Sequence, residues 1–334
     1  MPRHTTPVPL VCALTMLGIV TCAAPSDVAA SPWVLPEGVT VLRLSGGIDF
    51  ADSEFLPDGT NQAYPLNGRF ESYYFEMEGR YGVLPKLEVG LKLQFKGVSY
   101  NSDPLLNPPA ADDPGLSDYR EEVISFSRRD VGLADIYLSA GYQHATGAVN
   151  LSSTLVLKVP SGYTSPQETF ADGEPNQKSV EDDVALGDGK ASLEYRLHLG
   201  RFFTSTLSLI QISAGYEARF NGPGHRAVGN IKLGQGVEER LYFFLGANTA
   251  ITLFEGESIG TGFVANDPGV SALDFTEDNI RLIEATLDSS YIIAEFGALL
   301  RLGNREITLS VNRVLWGENF PELTSIGMGT ILIF

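Results

Sequence analysis

Apolar and polar residues alternate along stretches of roughly ten to fourteen residues that recur through most of this chain. In residues 87–96, leucine, valine and phenylalanine fill the odd positions, and the even positions are glutamate, glycine, lysine or glutamine. A period of two is that of a β-strand whose two faces meet different surroundings. No stretch beyond residue 30 has eighteen consecutive apolar residues, so the pattern excludes a helical membrane protein.

The C-terminal residues 325–334 also alternate, and they indicate what each face of the strand contacts. They place an apolar face opposite small or polar positions, with Ile331 and Ile333 as exceptions, and they end on Phe334. A strand of this kind suits lipid on one side and water or polar side chains on the other. This ending is typical of a bacterial outer-membrane β-barrel.

Residues 1–30 have the composition of a secretory signal peptide. A basic start at Arg3 precedes an apolar run over 8–20, and Ala30 stands before Ser31. We predict cleavage after Ala30, because the run is short for a retained transmembrane helix and lacks a basic flank. Lipidation at Cys22 is a weaker alternative, since Thr21 replaces the small residue that a lipoprotein signal uses.

The predicted mature chain, residues 31–334, carries no thiol, because both cysteines lie in the signal. A disulfide-stapled secreted domain is therefore excluded. Loss of one base and one acid with the signal leaves the net charge at −18. Nucleic acid is not expected as a partner, since phosphate binding requires clustered Lys and Arg.

Twelve segments fit the strand pattern. They lie near residues 39–50, 68–82, 87–100, 131–143, 149–159, 187–199, 204–220, 226–235, 239–253, 290–302, 305–315 and 323–334. Tight turns alternate with long connections, which is the arrangement of an outer-membrane barrel with its turns in the periplasm. Ten or fourteen strands remain alternatives, and residues 280–287 fit either an extension of the next strand or a short helix.

These patterns predict an all-β, single-domain protein, a transmembrane antiparallel up-and-down β-barrel in the bacterial outer membrane. A soluble β-sandwich or barrel also alternates. It is the weaker alternative, because it does not account for so many two-faced strands combined with a signal peptide and an aromatic terminus.

The predicted inward face carries both signs of charge. We predict that these residues line a pore, where rings of charge set selectivity. The residues are Glu76, Glu78, Arg80, Lys92, Lys96, Lys158, Lys190, Glu194, Arg196, Glu217, Arg219, Glu295 and Arg301. Alternatively, they pair with each other and fill a narrow lumen. About twelve strands give room for a narrow channel but not for an open porin.

The sequence gives little support for a catalytic site or a metal site. Residues 256–260 match the G-x-S-x-G form of a nucleophile elbow, but a loop follows them and no histidine comes after His225. His144 and His198 are predicted near periplasmic turns, and three scattered histidines make no zinc site. We expect no enzyme activity and no cofactor, and treat the acidic loops as solvated. Binding of divalent cations by residues 112–113 or 181–183 is a weaker alternative.

Four short segments carry a family resemblance. Residues 157–163 (LKVPSGY), 186–193 (LGDGKASL) and 131–138 (VGLADIYL), with the opening LPEG at 35–38, resemble the outer-membrane barrels associated with the meta pathway of phenol degradation. The resemblance implies transport of small, often aromatic or apolar, compounds. Only residues 31–38 precede the first strand, so the full N-terminal hatch of the larger fatty-acid transporters is not expected.

The sequence therefore predicts a channel or transporter that gives small solutes, including aromatic or hydrophobic compounds, passive passage across the outer membrane. A barrel-embedded lipid hydrolase and a non-conducting structural barrel are the alternatives. The expected partners are outer-membrane lipid, a small-molecule permeant, and the barrel-assembly machinery, which would recognise the strand ending at Phe334.

Overall fold

The computed structural model describes residues 32–107, 122–124, 127–163, 165, 186–271, 274 and 277–334. The predicted signal peptide, residues 1–30, and the acidic residues 112–113 and 181–183 lie outside this part of the chain.

Twelve strands form one closed barrel, in which each strand pairs antiparallel with its neighbours in sequence and the last pairs with the first. They are β1 (Thr40–Ala51), β2 (Arg69–Leu84), β3 (Leu87–Asn101), β4 (Arg128–Ala145), β5 (Asn150–Pro160), β6 (Ser192–Phe203), β7 (Ser208–Arg219), β8 (Arg226–Glu238), β9 (Leu241–Thr252), β10 (Ser290–Leu302), β11 (Arg305–Glu318) and β12 (Thr324–Ile333). The predicted up-and-down barrel of twelve strands is confirmed.

The alternation of residue types becomes an alternation of exposure. On β2, Tyr73, Phe75 and Met77 are exposed, whereas the intervening Glu76 and the following Glu78 are buried. Every strand of the barrel wall has exposed large apolar side chains. Strand β1 has only one, Ile48. A closed barrel with an apolar exterior satisfies its backbone hydrogen bonds internally, as a membrane requires. The chain is an outer-membrane β-barrel.

Small residues form the seam between β1 and β12. Gly47 stands opposite Gly327, and Ser45 opposite Gly329. The Tyr74 ring covers this seam from β2, because a Cβ atom at Gly47 would lie 2.5 Å from the Tyr74 hydroxyl oxygen and one at Gly327 would lie 2.8 Å from it. Glycine is therefore needed at these two positions to admit the ring.

The two mouths of the barrel differ. After β2, β4, β6, β8 and β10 the chain turns within two to four residues, whereas connections of up to 37 residues follow the other strands. The turn after β6 comes later than predicted, over residues 204–207, where Leu207 adopts a left-handed φ of 53°. Strand β6 also starts at Ser192 rather than at 187, because residues 186–191 bend into the mouth.

Shorter elements lie outside the barrel. Ser258–Ala265 pairs with Ile280–Thr286, so residues 280–286 form a separate hairpin, neither the predicted strand extension nor a short helix. The remaining elements are a three-stranded sheet (Ser53–Phe55, Asn61–Ala63, Phe320–Pro321), a two-stranded sheet (Leu105–Asn107, Glu122–Ile124) and the 3₁₀ turns Pro65–Asn67 and Glu277–Asn279. None of the helical segments in the described residues has the length and apolarity to cross a membrane.

Candidate permeation pathway

Most of the charged residues predicted on the inward face are buried inside the barrel wall. The deeply buried ones are Glu76, Glu78, Arg80, Lys92, Lys158, Arg196, Glu217, Arg219 and Glu295. Lys96, Glu194 and Arg301 are half-buried on strands, and Lys190 lies in the connection before β6. Their role in lining a pore remains a prediction.

Ion pairs join strands of the wall on its inner side. Lys92 Nζ lies 3.3 Å from Glu76 Oε1, and Gln94 Nε2 donates to the same oxygen at 2.9 Å. Lys232 on β8 reaches Glu295 on β10 at 3.1 Å, passing over β9 at Gly246. Because the charges are compensated within the wall, they avoid the cost of an isolated buried ion.

Two further pairs stand close to the short-turn mouth. Arg80 Nη2 lies 2.5 Å from Glu88 Oε1, and Arg301 Nη2 lies 2.9 Å from Glu306 Oε1. Both glutamates are almost completely buried. Arg80 and Arg301 therefore pair with two glutamates that were not among the predicted inward residues.

At the long-loop mouth, Asp188 joins two strands. Its carboxylate lies 2.7 Å from Lys158 Nζ on β5 and 3.0 Å from Arg219 Nη2 on β7. Burial alone would raise the pKa of Asp188, but the charge and hydrogen bonds of Lys158, a backbone amide and Arg219 hold this pKa below its usual range. The carboxylate therefore stays ionised and fixes the connection between β5 and β6 to the barrel.

Arg219 ties a second long connection to the same place. Its guanidinium lies 3.6 Å from Asp288 and donates to the carbonyl of Leu287 at 2.9 Å. Asp288 in turn accepts hydrogen bonds from the backbone amides of Gly224 and Gly256, at 2.7 and 2.5 Å. The connections after β5, β7 and β9 thus meet at one guanidinium.

The opposite mouth is crossed by residues 32–38, which we call the N-terminal segment. On one side, the amide of Val34 donates to Gln143 Oε1 at 3.0 Å and the amide of Leu35 donates to Glu88 Oε2 at 2.8 Å. Gln143 Nε2 also donates to the carbonyl of Pro32 at 3.1 Å. Polar side chains of β3 and β4 therefore hold the backbone of the segment inside the barrel.

On the far side of the mouth, Trp33 packs into an apolar cluster on the inner wall. Its partners are Leu209 on β7, Tyr242 and Phe244 on β9, and Leu299 on β10. The segment consequently spans the short-turn mouth from one side of the barrel to the other.

Glycines give the N-terminal segment the space it occupies. A Cβ atom at Gly82 would lie 2.0 Å from the carbonyl oxygen of Pro36, and one at Gly200 would lie 2.3 Å from Cγ of Pro32. Any larger residue at either position would displace the segment or the strand. Leu35 is held further along by Val41 and Ile331, both almost completely buried.

The histidines contact hydroxyl groups at separate places. His225 Nδ1 bonds the Tyr216 hydroxyl, His198 Nε2 lies 3.1 Å from Thr154 Oγ1, and His144 Nε2 lies 2.8 Å from Ser153 Oγ. The G-x-S-x-G serine begins the strand Ser258–Ala265, whereas a nucleophile elbow leads directly into a helix.

Among the described residues, no group of three or more His, Cys, Asp or Glu is arranged to hold a metal ion.

Sequence reasoning omitted several buried polar groups that organise the interior. These are Glu88, Gln143, Asp188, Lys232 and Glu306. Glu88, Lys232 and Glu306 share the inward alternation of their strands, so a stricter reading of the period would have found them. Asp188 continues the even, polar positions of the predicted segment 187–199, but it lies in the connection before β6 in the structure, so the alternation does not show which groups it contacts.

No family model and no curated protein sequence matches the chain. Among solved structures, the COG4313 outer membrane channel from Pseudomonas putida F1 aligns over 93% of this chain and 100% of its own, at 12% identity and a TM-score of 0.61. The translocator domain of autotransporter NalP from Neisseria meningitidis aligns over 97% of both chains, at 10% identity and a TM-score of 0.41. The first likeness shows a shared fold, that of an outer-membrane barrel.

Proposed function

We propose that the protein is an outer-membrane channel for the passive passage of small solutes. The observation that carries this proposal is the interior itself, a polar wall that residues 32–38 cross at one mouth. Non-covalent contacts hold the segment, through Gln143, Glu88 and the apolar cluster that contains Trp33. A segment held in this way can leave its place without unfolding the barrel.

Charge compensation on the wall favours uncharged permeants. Lys92 with Glu76 and Lys232 with Glu295 neutralise each other where they stand, so they offer no fixed net charge to attract one ion sign. We propose that neutral small molecules, including aromatic and hydrophobic ones, are the permeants. The resemblance to barrels of the meta pathway supports phenolic compounds among them.

Swelling of proteoliposomes tests the channel proposal. We expect faster swelling with small sugars and phenol than in protein-free liposomes, and a further increase for a variant that lacks residues 32–36. Gly79→Ala is a matched control, because a Cβ atom there would have no heavy atom within 4 Å. Equal swelling of liposomes with and without protein, for both the full chain and the shortened variant, would instead support a non-conducting structural barrel.

We propose further that the protein is not an enzyme. The lipid-hydrolase alternative required a serine beside His225, and that histidine bonds Tyr216 instead. His144 and Ser153 do make contact, although a third group that orients the histidine is needed to activate a serine. Release of fatty acid from phospholipid vesicles by the wild-type protein, lost in Ser153→Ala, would contradict this part of the proposal.

We also propose that the barrel-assembly machinery recognises β12. This strand ends beside Phe334, whose side chain is 70% exposed on the outside. Deletion of Phe334 is expected to lower the amount of folded protein in outer membranes, measured by heat-modifiable migration in gels. Unchanged levels would show that another feature guides assembly.

A further inference from the structure

An apolar patch interrupts the polar interior at the short-turn mouth. Leu209, Tyr242, Phe244 and Leu299 all face inward, and each is at most 3% exposed. They lie on β7, β9 and β10, whose inward positions further along the barrel are polar, such as Gln211, Asn248 and Glu295. We call this patch the Trp33 seat, because the indole of Trp33 covers it.

Two glycines of β8 leave room for the aromatic rings of the Trp33 seat. A Cβ atom at Gly236 would lie 2.8 Å from Cε1 of Tyr242, and one at Gly234 would lie 3.0 Å from Cδ1 of Phe244. The absence of a side chain at these two positions of β8 therefore lets both aromatic rings lie against the wall. Flat aromatic rings offer offset-stacked or edge-to-face contacts to another ring, beyond the gain from burying its area.

The residues of the Trp33 seat are part of the barrel wall, whereas Trp33 is part of the N-terminal segment. If Trp33 leaves, four apolar side chains face the lumen with nothing to cover them. Burying such surface is favourable for any apolar ring of suitable size. The guanidinium of Arg301, 5.7 Å from the centroid of the Tyr242 ring, lies 2.9 Å from Glu306 Oε1.

We infer that the Trp33 seat is a binding subsite for small, uncharged aromatic compounds, which compete with Trp33 and so release one end of the N-terminal segment. This inference rests in part on the proposed channel, since it supplies the step at which a permeant opens the mouth. The subsite itself lies on the inner wall, so ligand binding tests it without any measurement of solute flux.

Competition predicts a measurable change in affinity when Trp33 is removed. If Trp33 occupied the seat about nine-tenths of the time, the apparent affinity of a ligand would be reduced about tenfold. We expect benzyl alcohol to bind Trp33→Ala about tenfold more tightly than it binds the wild type, measured by calorimetry. Cyclohexylmethanol, of similar size but without a ring face, and benzoate, which is charged, should bind less well to both proteins.

Fluorescence follows the displacement directly, because the chain has only two tryptophans, Trp33 and Trp316. In Trp316→Phe, emission comes from Trp33 alone. We expect benzyl alcohol to move this emission to longer wavelength and to increase its quenching by acrylamide, with saturation. In Trp33→Phe, emission reports only Trp316 on β11, and it should not respond.

The seat can also be weakened from the wall. Leu299→Asn should reduce benzyl alcohol binding, and Leu300→Asn, on the outer face of the same strand, controls for a general effect of the substitution. Equal affinity of wild type and Trp33→Ala, together with unchanged Trp33 emission up to saturating benzyl alcohol, would overturn the inference.

The outcomes separate the subsite from the channel. Displacement of Trp33 without any solute flux into liposomes would leave the subsite standing and refute the channel. Solute flux without displacement would leave the channel standing and refute the subsite.

Discussion

Replacement of Arg219 by methionine isolates the contribution of the network at the long-loop mouth. Arg219 is 2% exposed, and its guanidinium faces Asp188 at 3.0 Å, Asp288 at 3.6 Å and the carbonyl of Leu287 at 2.9 Å. Methionine keeps much of the side-chain length and removes the charge and all donors. The change therefore leaves two carboxylates and one carbonyl with fewer partners.

The expected loss of stability follows from what each partner retains. Removing one member of a buried ion pair costs about 3–5 kcal/mol. Asp188 keeps Lys158, and Asp288 keeps two backbone amides, with 18% and 14% of their side chains exposed. Both carboxylates thus remain partly compensated, and we expect a decrease of about 2–3 kcal/mol in the free energy of unfolding.

Urea unfolding of the protein in phospholipid vesicles, followed by heat-modifiable migration and circular dichroism, measures this loss. Arg305→Met is the matched control, because Arg305 lies exposed at the start of β11 near the short-turn mouth. Arg219→Lys should fall between the two, since an ammonium keeps the charge but not the forked geometry. Combining Arg219→Met with Lys158→Met should cost more than the sum of the two single changes, because only the double variant leaves Asp188 without either cation.

A free energy of unfolding for Arg219→Met within about 0.5 kcal/mol of the Arg305→Met control would refute this reasoning. In that case the guanidinium would not hold the connections, and water would compensate the carboxylates equally well. Limited proteolysis is a second test, because residues 253–289 should be cleaved faster in Arg219→Met than in the wild type.

Three more outcomes are expected. Gly47→Ala should lower the unfolding midpoint temperature, because its Cβ would meet the Tyr74 hydroxyl, whereas Gly79→Ala should leave this midpoint unchanged; equal midpoints would contradict the packing. Folding lowers the pKa of Asp188, so its contribution to stability is full above the ordinary value of 3.8 and is lost as the pH falls through the lower folded value. Stability that already falls between about pH 7 and pH 5 because of this group would be inconsistent. Intact mass of protein from outer membranes should place the mature N-terminus at Ser31.

The number and order of the barrel strands were predictable, because each strand meets two solvents along its whole length. The period of two then appears in the sequence without any knowledge of partners. Ile331 and Ile333 broke the alternation of the last strand, and the structure explains Ile331. It is 0% exposed and packs on Leu35 of the N-terminal segment, a contact that spans almost the entire chain.

The site was predictable only in part, since its main features depend on distant partners. Residues 187–191 continued the alternation of β6, yet Asp188 turns inward to Lys158 and Arg219 on two other strands. The Trp33 seat could not be predicted from the sequence for a similar reason. Leu209 and Leu299 interrupt the polar inward positions of β7 and β10 near the strand ends, and only the closed barrel brings them together.

The seam between β1 and β12 has a consequence for how the molecule is made. It pairs residues from opposite ends of the chain, such as Val41 with Ile333, while every other pair of wall strands joins consecutive ones. Hairpins can form early and locally, but this last pairing carries the largest loop-closure entropy. We therefore expect circularisation to be the slow step in folding, because the first and last wall strands can pair only after both ends of the chain have met.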